Sequence, residues 1–211
     1  MALQPYVVDT FAERFPRPLA TLQRRYGGGG RHYHNWDHIR ALLAHAASVR
    51  DSLADPGAVE LAIYFHDAVY NPLSRQNETK SAALARRVLA TQVPTPQVDR
   101  VVTLILATAG HTLPPDVDEA TKRDASFFLD MDLSILGAGE ETYDHYELQI
   151  RKEYWMVPRP LFRRARCTVL QGFLGRDRLY FTDYFYAKWE ATARANLRRA
   201  VASLSGEPAA G

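Results

Sequence analysis

The sequence predicts an all-α protein, a single compact bundle of about eight helices formed by residues 1–211. Three observations predict it. Apolar residues recur at three- and four-residue spacing in successive stretches. No stretch shows the strict alternation of a half-buried strand. Short breaks rich in proline, glycine and asparagine separate the stretches.

Taken in order, Pro16 and Pro18 break the opening segment, and Leu19, Leu22 and Tyr26 then follow a helical period up to Gly27-Gly28-Gly29-Gly30. Four glycines end that helix and supply a flexible link. A second helix begins near Asn35, which can cap it, and carries Ile39, Leu42, Leu43 and Ala46 to about Arg50. Asp55-Pro56 is a cap followed by proline at the first helical position. The helix it opens, with Val59, Ala62, Ile63 and Phe65, is apolar nearly all round, so it belongs at the centre of the core. A polar loop over 71–77 follows, with Asn77 placed to cap a helix over 78–91. Pro94-Thr95-Pro96 separates that helix from one over 98–109, which Gly110-His111 and Pro114-Pro115 end. Further helices are expected over about 120–136, stopped by Gly137, then 140–156, 160–174 and 182–204. The glycine run and the 205–211 tail are the only low-complexity segments. The metal-binding core is expected over about 31–137, with the C-terminal helices over about 140–204 packing on it.

Composition narrows the function. There are 26 basic and 24 acidic residues, a net charge of +2, so no global field favours a nucleic-acid polymer or an anionic membrane. One cysteine, Cys167, excludes an internal disulfide and a thiolate zinc cluster. The opening residues lack a basic start followed by an apolar run, so no secretion signal is expected. The longest apolar stretch, 101–109, is far short of the roughly 20 residues that span a bilayer. A cytoplasmic protein is therefore expected, with a small-molecule ligand and a homodimer as its possible company.

The chemistry gathers around His66-Asp67, set inside the apolar run LAIYFHDAVYN. Charged groups are rarely buried unless paired or bound to a metal. Alone, such a pair can be a buried hydrogen bond. His38 upstream and Asp132 downstream add a nitrogen and an oxygen donor from other segments, and the four together suit one divalent ion. Asp130 rivals Asp132, because residues two apart on a helix point about 200° from one another. The Leu133-Ser134 context favours Asp132, which leaves Asp130 to cap, pair with an arginine or face solvent.

The pattern His38…His66-Asp67…Asp132 resembles the signature of the HD superfamily of metal-dependent phosphohydrolases, whose members are all-helical. Locally, Tyr33-His34-Asn35 with His38, and Asp132-Leu133-Ser134, resemble motifs of the cyclic-nucleotide phosphodiesterases. Asn77-Glu78, Ser81, Asp130-Met131-Asp132-Leu133, Leu136-Gly137 and Arg151, Glu153 and Tyr154 are similar to an uncharacterised bacterial group of predicted HD hydrolases. The resemblance implies His38, His66, Asp67 and Asp132 as ligands of a divalent ion (Mn, Fe, Ni, Zn or Mg), with a second ion possible. It implies His34 as the proton donor to the leaving oxygen and a phosphate mono- or diester, a nucleotide among them, as substrate. A non-catalytic nucleotide- or metal-binding HD domain is the alternative. A di-iron oxygenase of this superfamily is disfavoured, since only His111 lies between the His-Asp pair and the final aspartate.

Five further features carry two readings each. His111 can contact substrate or a second metal, or be a loop histidine. Glu78 can orient the attacking water, or stabilise its helix through the macrodipole. Arg151 stands four residues after Glu147, the spacing of an ordinary ion pair, or it clamps a substrate phosphate. Arg163, Arg164 and Arg166 read as a solvated basic face, with phosphate or partner binding as the alternative. The aromatic run Tyr180, Phe181, Tyr184, Phe185, Tyr186 and Trp189 reads as core or subunit interface ahead of base stacking.

Overall fold

Proline at the first turns and asparagine or aspartate at the caps set where this chain turns helical. The computed structural model describes Phe11 and residues 13–206; the remaining residues of the N-terminal stretch and the 207–211 part of the tail lie outside them. Among the described residues the protein is all-helical. The helices are α1 (Pro16–Tyr26), α2 (Trp36–Ser48), α3 (Pro56–Phe65), α4 (Asn77–Leu89), α5 (Thr95–Ala107), α6 (Glu119–Asp132), α7 (Glu140–Glu153), α8 (Arg159–Leu174) and α9 (Asp183–Ser205). No described helix is long and apolar enough to cross a membrane. The contacts divide the chain into two compact units, one reaching to Met131 and one beginning at Asp132.

In the first unit α3 is the central element. Every residue from Ala58 to Phe65 is buried, and α2, α4 and α5 all pack against it. Asp55 caps α3 by accepting from the Ala58 amide at 2.9 Å. The turn before it is held by Asp124, wholly buried on α6, which accepts from the Ala54 and Asp55 amides at 2.7 and 3.0 Å. Burial pushes the Asp124 carboxyl up, against those two bonds and the Arg100 guanidinium 3.6 Å away.

Several starts differ from the sequence expectation. The break expected at Pro16 falls at Phe15, and both prolines then sit in the first turn of α1, where a missing N–H costs nothing. In the same way Thr95 and Pro96 open α5 instead of preceding it. Asn77 does not cap α4. It is the first helical residue, and its amide side chain accepts from the Asn71 amide and donates to the Asn71 carbonyl, at 3.0 and 2.9 Å. Helix α6 ends at Asp132, and residues Ser134–Gly137 form a separate 3-10 turn.

In the second unit α9 packs on α8 and on that 3-10 turn. Gly137 is required there, since a Cβ on it would lie 2.4 Å from Trp189 Cβ. The aromatic run supplies core: Tyr180 and Phe185 are fully buried, Phe185 stacks on Trp189 at 4.3 Å, and Tyr180 donates its hydroxyl to the Leu133 carbonyl. Tyr184 and Tyr186 stay about half exposed. Arg166 is not on a solvated face. It is largely buried and bidentate to Glu147, with a further bond to the Tyr146 hydroxyl. Burial opposes its charge, but Tyr146 and Glu147 outweigh burial and hold the guanidinium above its ordinary value. Arg163 donates to the Ser203 and Leu204 carbonyls at the end of α9.

Candidate metal centre

Helix α3 ends at Phe65, and His66 follows as its C-cap with the amide still bonded to Ala62. The imidazole is 1 % exposed, and its Nδ1 lies 2.9 Å from the Ile63 carbonyl. A carbonyl can only accept, so Nδ1 carries a proton, and in a neutral ring Nε2 then presents a lone pair. The Nε2 atom faces Asp67 Oδ2 at 3.2 Å and His38 Nε2 at 3.3 Å. The ligand atoms of His38, His66 and Asp67 all fall within 4.8 Å of one another.

A nitrogen lone pair against a carboxylate oxygen at that range is repulsive unless a metal ion or a proton stands between them. The donors fit a metal ion. Ligand bonds of about 2.0–2.2 Å would place neighbouring donors roughly 2.8–3.6 Å apart across octahedral and tetrahedral geometries. The Ile63 carbonyl, by fixing the His66 tautomer, supplies the outer partner that ligating imidazoles characteristically have. Phe128 of α6 covers the same ring edge-on, with centroids 5.7 Å apart.

His38 arrives from α2. Asn35 caps that helix, accepting from the Asp37 and His38 amides at 2.8 and 3.4 Å, and so fixes the first turn on which His38 stands. His34 lies just before the helix, half-buried, with its ring stacked on Tyr70 at 4.4 Å and centred 6.2 Å from the His38 ring. Tyr33 packs against both, 5.1 Å from His34 and 4.9 Å from His38. His34, His38, His66 and Asp67 therefore gather in the first unit.

The loop after the His-Asp pair is sewn to α4. Ser81 accepts from the Val69 amide at 3.0 Å and donates to its carbonyl at 3.3 Å, while Asn77 holds Asn71 as described above. Arg31 joins the same loop to the segment before α2. Sequence reasoning missed Arg31. The available signal was a lone arginine directly behind a glycine run, three residues before His34.

Comparison with protein-family models, curated proteins and solved structures finds no match. The site therefore stands on its geometry.

The other predicted residues are spread out. Glu78 is half-buried in the first turn of α4, where a carboxylate favours the helix N-terminus, and is not one of the three converging donors. His111 leaves α5 in a left-handed backbone conformation, φ 47°, also outside that trio. Asp130 is completely buried on α6, so it does not face solvent, and Asp132, half-buried, opens the second unit. Arg151 does not pair with Glu147, which Arg166 takes. It donates instead to the Tyr154 carbonyl and lies over the Phe162 ring at 4.9 Å.

Proposed function

We propose that this chain is a metal-dependent phosphohydrolase in which His38, His66 and Asp67 hold a divalent cation and His34 protonates the departing oxygen of a phosphate mono- or diester. The observation that carries the reading is the convergence of two imidazole nitrogens and one carboxylate oxygen, with the Ile63 carbonyl holding a proton on His66 Nδ1 and leaving Nε2 turned toward the other two donors. A divalent ion held by His38, His66 and Asp67 would supply Lewis acidity toward a phosphoryl oxygen and lower the pKa of a bound water toward neutrality. Three protein donors leave positions for water and substrate. The sequence resemblance adds Asp132 as a further ligand and Glu78 as an orienting group for water. His34 is held by its stack on Tyr70 and its edge contact with Tyr33, so a proton on its ring can be delivered to a leaving alkoxide from a fixed direction.

The test is hydrolysis of nucleoside monophosphates, cyclic nucleotides and generic phosphodiesters by metal-stripped protein, adding back Mn, Fe(II), Ni, Zn or Mg singly. Turnover that needs the ion and disappears in Asp67→Ala is the expected result. His34→Ala keeps metal bound but slows substrates with poor leaving groups by roughly 10²–10⁴-fold. Stoichiometric metal uptake with no cleavage of any substrate would replace the hydrolase with a metal-binding module.

A further inference from the structure

We propose that Arg31 is a positioning residue that locks the His34 segment and the His66-Asp67 segment at one spacing; the inference rests on the metal-site reading above. One guanidinium nitrogen, Nη1, donates to both the His34 carbonyl at 3.0 Å and the Asp67 carbonyl at 2.7 Å, and Nη2 donates to the Ala68 carbonyl at 3.3 Å. The proton donor and the carboxylate ligand are thus tied through a single planar group, although they lie 33 residues apart (67 − 34 = 33). The guanidinium lies over the rings of Tyr26 at 4.9 Å and Tyr70 at 5.3 Å. Tyr70 in turn stacks on the His34 imidazole, so Arg31 reaches that residue by two routes, carbonyl and ring. The backbone is shaped to deliver it. Gly30 takes φ +106°, which other residues avoid, and the Arg31 amide bonds back to Gly28.

A lysine offers one nitrogen in place of a planar fork and cannot fill the Nη1 and Nη2 positions together, so the conservative change substitutes only in part. Free guanidinium ion can enter the space an alanine leaves. The experiment compares wild type, Arg31→Ala and Arg31→Lys, each metal-stripped and titrated with Co²⁺, reading affinity, the visible d–d spectrum, and kcat and KM. Expected is a loss of roughly 10–100-fold in Co²⁺ affinity or kcat for both variants, with an altered spectrum. Dilute guanidinium chloride, but not sodium chloride, restores Arg31→Ala. Wild-type affinity, spectrum and kcat in Arg31→Ala, or full function in Arg31→Lys, overturns the proposal. Should Arg31→Ala not fold, Arg31→Lys alone decides by the same readings. If wild type itself takes up no Co²⁺, the metal reading fails, and Arg31 is judged on the His34 and His66 ring resonances of metal-free protein. Resonances that move in the variants support positioning, and unmoved ones overturn it.

Discussion

Loading the His38, His66 and Asp67 group with its ion is expected to raise the thermal stability of the first unit. The size follows from linkage. His38 and His66 are 28 residues apart in sequence, so the trio exists only in the folded chain, and binding free energy becomes folding free energy. Free metal at a hundred times Kd adds about 2.7 kcal/mol, and at a thousand times about 4.1 kcal/mol. For a chain of this size each kcal/mol moves Tm by about 2–4 °C, giving shifts of about 5–11 °C and about 8–16 °C. The assay is a set of thermal scans on metal-stripped protein against each divalent ion, with Asp67→Ala alongside. That variant removes the anionic donor and should flatten the response. If no ion moves the wild-type transition, or Asp67→Ala moves equally, the convergence of these three side chains is not a metal site.

Other expectations concern the scaffold. Gly137→Ala forces a methyl to within 2.4 Å of Trp189 Cβ and should cost roughly 1–3 kcal/mol in chemical denaturation, reported by tryptophan fluorescence. Arg166→Ala strands the mostly buried Glu147 and should cost about 3 kcal/mol, whereas Arg151→Ala, which loses one carbonyl bond and a ring contact, should cost about 1 kcal/mol; equal costs would contradict the pairing described. Asp124 has a raised carboxyl, so the folded state binds its proton more readily than the unfolded chain does. Its contribution is complete below the ordinary carboxylate value and is lost as pH rises through the folded value. The stability of wild type relative to Asp124→Asn should therefore grow as pH falls through that window, and a constant difference in paired denaturation curves would refute it.

The helical architecture and the conspicuous His66-Asp67 pair were legible because each rests on local chemistry. Period-3.6 runs, a proline after Asp55 and an asparagine at position 35 act within a few residues of themselves. His66-Asp67 stood out because an ionisable pair is conspicuous in an apolar run. What could not be read depends on partners far along the chain. Glu147 has cations available at both 151 and 166, and only the packing of α8 on its own unit gives it Arg166. Asn77 is equally suited to capping a helix or clasping a loop, and the path of residues 71–77 decides for the clasp. Arg31 escaped because its partners are all backbone carbonyls, which carry no residue-type signature.

The burial of α3 on every side also bears on how the protein is made. With no polar stripe, this helix is unsuited to water at any stage of synthesis, and α5, one of the helices that pack on it, ends only at Ala107. A ribosome must therefore add some forty further residues after Phe65 before that shield is complete. During that interval the nascent chain displays a sticky segment to every neighbour, which makes it a natural client for holding chaperones. Fragments cut between α3 and α5 inherit the same exposure permanently and are poor material for expression.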